Sequence, residues 1–254
     1  MRLTIKIGSN VLTRNDGSLD VTRMSALVDQ IAELRHQGHE IILVSSGAVA
    51  SGRSELKHIQ HNLDTVDQRQ LFSAVGQAKL INRYFELFRE YGISVGQVLT
   101  TKENFSDSEH RKNQENCMRV MLENGVLPIV NENDTVSITE LMFTDNDELS
   151  GLIAEMTRSQ ALIILSNIDG IFTGKPTDPE SRLISIVKPG KDLSDYIQES
   201  KSSAGRGGMQ SKSSVATQTA AKGISVIIAN GKRENILVRI MTDRDNTPCT
   251  EFLC

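Results

Sequence analysis

Residues 3 to 7 read LTIKI and residues 40 to 44 read EIILV, two short apolar segments of the kind that forms buried strands. Apolar side chains between them recur at helical spacing, at Val21, Met24, Leu27, Val28, Ile31 and Leu34. Gly38 follows this pattern as a plausible C-terminal stop for the helix. A strand, a helix and a second strand in this order are typical of a crossover connection between parallel strands.

The same alternation continues along the chain. Further strands are predicted for ISVGQVL (93 to 99), VLPIV (126 to 130), ALIIL (161 to 165) and ISVIIA (224 to 229). Helical patterns occur at residues 66 to 90, 109 to 123, 147 to 158 and 208 to 222. Residues 170 to 190, where prolines surround RLISIV, are instead predicted to form an irregular hairpin. The sequence therefore predicts one α/β domain over residues 1 to 254, with a mostly parallel sheet and helices on both faces.

The composition excludes several classes of protein. A formal charge of -4 and a pI near 5.8 argue against nucleic-acid binding, which needs a clustered basic surface. The N-terminus lacks the apolar core of a signal peptide, and no run approaches membrane-spanning length. The three cysteines form no CxxC pair, which suits a reducing compartment. We therefore expect a cytoplasmic protein with small-molecule partners.

Two strand-to-helix junctions have features of ligand sites, since ligands in parallel sheets bind beyond the carboxyl ends of the strands. In KIGSNVLT (6 to 13), Lys6 lies inside a predicted buried strand, where a lysine is costly unless it faces an anion. The alternative is an edge-strand lysine that reaches solvent. In VSSGAVASG (44 to 52), small residues let the backbone approach a ligand closely, although the motif taken singly favours a tight structural turn.

A third junction is acidic. Residues 131 to 148 contain no lysine or arginine, and their carboxylates are Glu132, Asp134, Glu140, Asp145, Asp147 and Glu148. A charge run of this kind is often only a solvated loop. Yet the segment ends in a predicted helix whose first turn holds side-chain oxygens able to cap backbone donors or hold a cation. Such a loop would repel a phosphorylated acceptor and favour one that carries an ammonium group.

A fourth junction is rich in glycine. In SAGRGGMQSK (203 to 212), the glycines precede a helix that opens near Met209 and presents Lys212 one turn in, which is typical of an anion cradle. The chain has no GxxxxGK[ST] motif, which argues against a P-loop enzyme. His58 and His61 have the spacing of metal ligands, but no third ligand is evident and no protein metal site is expected.

Taken in order, KIGSNVLT, VSSGAVASG, LPIVNENDTV, FTDNDELSGLIA and GRGGMQSK resemble the glutamate 5-kinases of the amino acid kinase superfamily, over nearly the whole chain. The resemblance implies a three-layer α/β/α sandwich with an N-terminal acceptor site and a C-terminal nucleotide site. It implies phosphorylation of the γ-carboxylate of L-glutamate by ATP and Mg²⁺ to give L-glutamyl 5-phosphate, the first step of proline biosynthesis. It also suggests proline as a feedback inhibitor, and we expect a homo-oligomer.

The resemblance assigns roles residue by residue. Lys6 and Lys212 resemble the lysines that stabilise the transferring phosphoryl group, and Asp147 resembles the carboxylate that orients them. The implied glutamate-binding residues are Ser46, Gly47, Ala48, Asn131, Asp134 and Asn146. The implied nucleotide-binding residues are Lys6, Ser166, Asn167, Arg206, Gly207, Gly208, Met209, Gln210, Ser211 and Lys212.

The chain departs from the family pattern in three respects. Ser166 and Asn167 stand where the family usually has Thr-Asp, and Arg206 stands where it usually has threonine. Many members also carry a C-terminal RNA-binding-like domain, which is not found in these residues, so a short form is expected. Two alternatives stay open: a related kinase acting on acetylglutamate, aspartate, carbamate or uridylate, and a non-catalytic nucleotide- or amino-acid-sensing module. The acidic junction disfavours uridylate, and the two lysines with Asp147 disfavour a non-catalytic module.

Overall fold

The computed structural model describes residues 1–57, 63–137, 143, 145–193, 196 and 208–254. The strands are β1 (Arg2–Ile7), β2 (Glu40–Ser45), β3 (Val95–Thr100), β4 (Leu127–Glu132), β5 (Ala161–Ser166), β6 (Ile186–Val187), β7 (Ser225–Asn230) and β8 (Cys249–Phe252). The α-helices are α1 (Ser9–Leu12), α2 (Val21–His36), α3 (Ala48–Glu55), α4 (Thr65–Arg89), α5 (Glu103–Ser106), α6 (Ser108–Glu123), α7 (Asn146–Met156), α8 (Met209–Ala220) and α9 (Ile236–Thr242). A 3-10 turn at Arg244–Asn246 precedes β8.

These strands form one eight-stranded sheet in the order β3-β4-β2-β1-β5-β7-β8-β6. Neighbouring strands are parallel except β7 and β8, so the predicted mostly parallel sheet is confirmed. The chain first builds the sheet on one side of β1, through β2, β4 and β3, and then crosses to the other side at β5. The carboxyl ends of β1, β2, β4, β5 and β7 therefore lie along one edge, where the strand order reverses and ligands typically bind.

The period of two along β1 assigns its side chains to opposite faces of the sheet. Leu3, Ile5 and Ile7 belong to an apolar cluster that includes residues of α2, α4 and α9. The other face packs against α6, α7 and α8, through two further clusters. The predicted three-layer sandwich is therefore confirmed. On this second face β1 presents two polar side chains, Thr4 and Lys6.

The six predicted strands and the four long predicted helices after α2 agree with the structure to within about two residues at most helix ends, as expected for such boundaries. The hairpin predicted at residues 170 to 190 is confirmed by an antiparallel bridge between Phe172 and Leu183. The helices α3 and α9 and the strand β8 were not predicted. His58 and His61 lie outside the described residues. Among the residues that the structure describes, no helix is long and apolar enough to cross a membrane.

Helices α3 and α4 pack with their backbones in contact. A Cβ atom on Gly52 would lie 1.8 Å from the carbonyl oxygen of Phe72, and one on Gly76 would lie 1.8 Å from that of Ala48. The glycine inside α4 is thus required by close helix packing, at a position where most helices would favour a larger residue. This packing holds the N-terminal half of α4 against the segments that follow β2 and β4.

Candidate active site

Three buried charged side chains meet at the centre of the sheet edge. Lys6 extends from β1 and Lys212 from α8, and both reach Asp147 in the first turn of α7. Lys6 Nζ forms an ion pair with Asp147 Oδ1 at 2.5 Å, and Lys212 Nζ donates a hydrogen bond to Asp147 Oδ2 at 2.9 Å. The exposed fractions are 1% for Asp147, 4% for Lys6 and 8% for Lys212. The structure therefore brings together the three residues predicted to be catalytic.

The charges of this cluster do not cancel. Two ammonium groups and one carboxylate leave a net charge of +1 in a site that water barely reaches. Burial by itself raises the pKa of Asp147, but the attraction of Lys6 and Lys212 outweighs burial, and the pKa lies below its ordinary value. Asp147 is therefore ionised at neutral pH, and the cluster has one positive charge to offer to an anion.

Asp145 connects the first turns of α7 and α8. Its extended backbone ends the preceding segment, and its Oδ1 accepts hydrogen bonds from the backbone N–H groups of Asp147 (2.8 Å) and Glu148 (3.0 Å). This is the geometry of an N-terminal cap. Its other oxygen, Oδ2, accepts a hydrogen bond from Ser211 Oγ at 2.6 Å. Asp145 thereby fixes the helix that carries Asp147 relative to the helix that carries Lys212.

The N-terminus of α8 has the features of an anion cradle. Gly208 occupies the cap position and supplies no side-chain hydrogen bond to the first turn. The first-turn residues Met209, Gln210 and Ser211 are partly or fully exposed, whereas Lys212 is buried. The N–H groups of a helix that begins at glycine, together with the helix dipole, favour a bound phosphate at such an end. Arg206 and Gly207, the other predicted members of this loop, lie outside the described residues.

A second cluster, made of hydroxyl and amide groups, lies beside the lysines. Asn146 Nδ2 lies 2.9 Å from both Ser46 Oγ and Asn131 Oδ1, and Asn131 Nδ2 donates to Gln77 Oε1 of α4 at 2.9 Å. Ser46, Asn131 and Asn146 had been predicted to bind the acceptor, and the structure brings them together. Because Asn146 and Asp147 are consecutive residues, this cluster meets the lysine cluster at the first turn of α7.

The turn after β2 completes this cluster. Gly47 has a φ angle of +108°, which favours glycine, and it caps the helix that begins at Ala48. The preceding Ser45 hydroxyl lies 2.8 Å from the hydroxyl of Tyr84, a residue of α4 whose pKa is raised because the side chain is buried. Gly47 and Ala48 therefore start a helix directly after Ser46, which belongs to the polar cluster.

The acidic junction contains no lysine or arginine in sequence, but the folded chain brings an arginine to it. Asp134 Oδ1 accepts a hydrogen bond from Arg69 Nε at 2.8 Å, and Glu132 Oε2 accepts one from Arg69 Nη2 at 2.8 Å. Arg69 Nη2 also pairs with Asp134. Sequence reasoning missed Arg69 because it lies on α4, 65 residues before Asp134. An arginine near the start of a long amphipathic helix gives no local signal of such a contact.

The exits of β5 and β7 form the remaining part of the edge. Ser166 is buried at the end of β5, where its carbonyl oxygen accepts a hydrogen bond from Gly231 N at 2.8 Å, and Asn167 beside it is exposed. Asp169 forms a two-point ion pair with Arg233, with distances of 2.6 and 2.7 Å. The hydrogen bonds from Arg233 lower the pKa of Asp169. Sequence reasoning had not singled out Asp169 or Arg233, which tie the two exits together.

Most of the sequence matches a known family. Residues 1–230 match the profile of the amino acid kinase family. The chain belongs to the amino acid kinase family. Among solved structures, that of carbamate kinase from Giardia lamblia bound to AMP-PNP superposes with a TM-score of 0.70, covering 99% of this chain and 98% of that one at 14% identity. At this identity the likeness supports the fold of the family and nothing finer.

Two relatives with higher sequence identity carry the same name. The chain is 71% identical over 252 residues to "Glutamate 5-kinase" of Bacteroides thetaiotaomicron, covering 99% of this chain and 70% of the relative. It is 47% identical over 241 residues to "Glutamate 5-kinase" of Chlorobaculum tepidum, covering 94% of this chain and 66% of that relative. The family resemblance inferred from the five motifs is thereby confirmed.

Proposed function

We propose that this chain transfers the γ-phosphoryl group of ATP to the γ-carboxylate of L-glutamate, giving L-glutamyl 5-phosphate, as the first step of proline biosynthesis. One structural observation carries the proposal. Asn146 and Asp147 are consecutive on α7, so a polar cluster suited to an amino acid lies directly beside two lysines suited to a phosphoryl group. The 71% identity to a glutamate 5-kinase supports the choice of substrate within the family.

The lysine cluster suits phosphoryl transfer between two anions. Such a reaction needs in-line positioning and neutralisation of developing charge more than it needs covalent chemistry. In our proposal Lys6 and Lys212 stabilise the charge on the transferring group, and Asp147 holds both ammonium groups at fixed positions. A carboxylate acceptor is already ionised at neutral pH, so the site needs no general base.

The residues present fit the phosphates of ATP. The net charge of +1 in the lysine cluster and the first turn of α8, which has no side-chain cap from Gly208, are complementary to an anion. We assign the nucleotide to Ser166, Asn167, Gly208, Met209, Gln210, Ser211 and the two lysines, with Arg206 and Gly207 assigned from the sequence.

Magnesium enters the proposal with the nucleotide. No group of three or more His, Cys, Asp or Glu side chains in the described ranges could hold a metal ion. Magnesium in kinases is commonly held by phosphate oxygens with few protein ligands, and this fits the site. When bound, the ion neutralises phosphate charge, and the protein residues position the two substrates.

The polar cluster suits the amino acid end of the acceptor. Ser46, Asn131 and Asn146 offer hydroxyl and amide groups, and the turn at Gly47 and Ala48 offers the start of a helix. Asp134, which is buried three residues after Asn131, offers a carboxylate for the α-ammonium group. We therefore assign the N-terminal part of one domain to glutamate and the C-terminal part to ATP.

Three further features belong to the proposal. Proline carries the same α-carboxylate and an α-ammonium group, so it is a candidate inhibitor that competes for the acceptor site. A homo-oligomer is supported by the exposed Phe85 and Tyr91 on and after the long helix α4. A cytoplasmic location is supported by the three free cysteines. Inhibition kinetics with proline and the sedimentation of the purified protein test the first two.

The substrate assignment is tested by ATP turnover with a panel of acceptors. The purified protein is incubated with Mg-ATP and either glutamate, N-acetylglutamate, aspartate, carbamate or uridylate, and ADP release is coupled to NADH oxidation. We expect glutamate to give the highest kcat/KM. Equal or greater turnover with another acceptor would refute the substrate, and no turnover with any acceptor would favour a sensing module.

A further inference from the structure

The pairing of Arg69 with the acidic junction has a consequence for substrate binding. Glu132 and Asp134 are both buried, and they are two residues apart on a segment that sequence reasoning treated as purely acidic. Arg69 extends between them from α4, with a side chain that is 17% exposed, and it contacts both carboxylates. Two carboxylates and one guanidinium leave this trio with a net charge of -1.

The trio also fixes the backbone on the far side of the acidic junction. Glu132 Oε1 accepts a hydrogen bond from Phe143 N at 2.9 Å, while Glu132 Oε2 accepts one from Arg69. A continuous chain of contacts therefore runs from Phe143 through Glu132 and Arg69 to Asp134. Without the guanidinium, two buried carboxylates would face each other, and their repulsion would push them apart.

The same helix supports the neighbouring acceptor residues. Arg69, Ser73 and Gln77 are spaced by four residues and so share one face of α4. Gln77 accepts a hydrogen bond from Asn131, and the neighbouring Gln70 donates one to the carbonyl oxygen of Thr135 at 2.8 Å. The close backbone contact between α3 and α4 at Gly76 fixes the position of this face relative to α3. Arg69 is thus delivered to the junction by a rigid element.

We propose that Arg69 is a positioning residue for glutamate: it holds the Asp134 carboxylate in place for the α-ammonium group of the acceptor. This inference rests on the proposed function, because it takes glutamate as the acceptor. It assigns to Arg69 no contact with ATP and no part in the phosphoryl transfer. Loss of Arg69 should therefore weaken glutamate binding and leave the chemical step largely intact.

The first test compares steady-state constants of Arg69→Gln and Arg69→Lys with those of the wild type. Arg69→Gln should raise the glutamate KM at least about tenfold, the effect of losing one charged hydrogen bond, with the ATP KM and kcat within about threefold. Arg69→Lys keeps the positive charge but loses the planar guanidinium, which can bond two carboxylates at once. Its glutamate KM should therefore lie between those of the wild type and Arg69→Gln. Arg83→Gln, which removes an exposed ion pair with Glu86 elsewhere on α4, should behave as wild type.

The second test separates positioning from charge. The double variant Arg69→Gln/Glu132→Gln keeps the net charge of the trio at -1 and leaves no uncompensated pair of buried carboxylates, so it should fold even if Arg69→Gln does not. Its glutamate KM should still be raised about tenfold, because the guanidinium that held Asp134 is absent. Adding Asp134→Asn to it should raise the KM little further, since the three residues act as one unit.

The outcomes keep the two hypotheses apart. Turnover of glutamate by the wild type tests the proposed function, whereas the ratio of KM values among the folded variants tests the role of Arg69. A folded double variant with a wild-type glutamate KM would overturn the inference. So would an Arg69→Gln protein that loses kcat, or affinity for ATP, as strongly as affinity for glutamate.

Discussion

Replacing Asp147 by asparagine removes the carboxylate between two buried ammonium groups while keeping the size of the side chain. In the wild type Asp147 is 1% exposed and contacts both Lys6 and Lys212, at 2.5 and 2.9 Å. The variant leaves the net charge of the cluster at +2 in place of +1. Removing one partner of a buried ion pair typically costs about 3 to 5 kcal/mol, because the remaining charge has lost its compensation.

The expected loss of stability can be measured as a lower melting temperature. For a chain of this size each kcal/mol corresponds to roughly 2 to 4 °C, so the melting temperature of Asp147→Asn should fall by about 6 to 20 °C. Anions should restore part of the loss, since phosphate binding compensates the excess charge. A variant that melted within about 2 °C of the wild type would show that the three charges are not coupled as described.

The same variant makes a prediction about pH. The pKa of Asp147 is lower in the folded protein than its ordinary value of 3.8, because the two lysines outweigh burial. A carboxyl of this kind stabilises the fold above its unfolded pKa, and that contribution is lost as the pH falls through the lower, folded pKa. Below about pH 4, the stability of the wild type should therefore fall towards that of Asp147→Asn. Melting curves between pH 7 and pH 3 give the comparison, and parallel pH profiles would refute it.

Activity should separate binding from catalysis in Asp147→Asn. The extra positive charge still attracts phosphate, so the ATP KM should change little. The lysines are no longer held in place, however, and losing one preorganised element of this kind typically lowers kcat by about two to three orders of magnitude. A kcat near that of the wild type in the folded variant would show that Asp147 is structural only.

Three other predictions concern substitutions of single residues. Lys6→Ala and Lys212→Ala should each lower kcat by about a hundredfold or more with a small change in glutamate KM; near-wild-type turnover would make that lysine structural. Asp134→Asn should raise the glutamate KM at least about tenfold and change the ATP KM much less. Equal losses of affinity for both substrates would show that the acceptor site is assigned wrongly. Gly76→Ala should lower the free energy of unfolding by about 1 to 3 kcal/mol or more, because its Cβ would lie 1.8 Å from a backbone oxygen of α3. Gly174→Ala, whose Cβ would meet nothing within 3.5 Å, is the matched control, and equal melting of the two would contradict the packing argument.

Most of the fold could be predicted because hydrophobic periodicity is a local property. Strands such as β5 are continuous apolar runs, and α2 and α4 are long enough for their apolar faces to be recognised. The missed elements are short. β8 has four residues and α9 has seven, too few to establish a period, and α3 contains glycine, serine and few large apolar residues. These elements form through tertiary packing, which overrides weak local propensity.

The candidate site was predictable where its residues lie at strand ends. Lys6, Asn131 and Asp147 adjoin predicted strands or begin a predicted helix, and parallel topology brings such positions to one edge. The partner of Asp134 was not predictable in this way. Arg69 enters the site from the start of a helix packed on the outside of the sheet, and a single sequence has no pattern for a contact of that kind.

The central claim is that the lysine cluster phosphorylates the γ-carboxylate of an amino acid held by the neighbouring polar cluster. It is tested most directly by identifying the product, with hydroxylamine present to trap an acyl phosphate and mass spectrometry to read the adduct. We predict γ-glutamyl hydroxamate from L-glutamate and Mg-ATP, with little product from N-acetylglutamate or uridylate and almost none from Lys212→Ala. ATP turnover without hydroxamate, or an adduct formed equally well from N-acetylglutamate, would contradict the account.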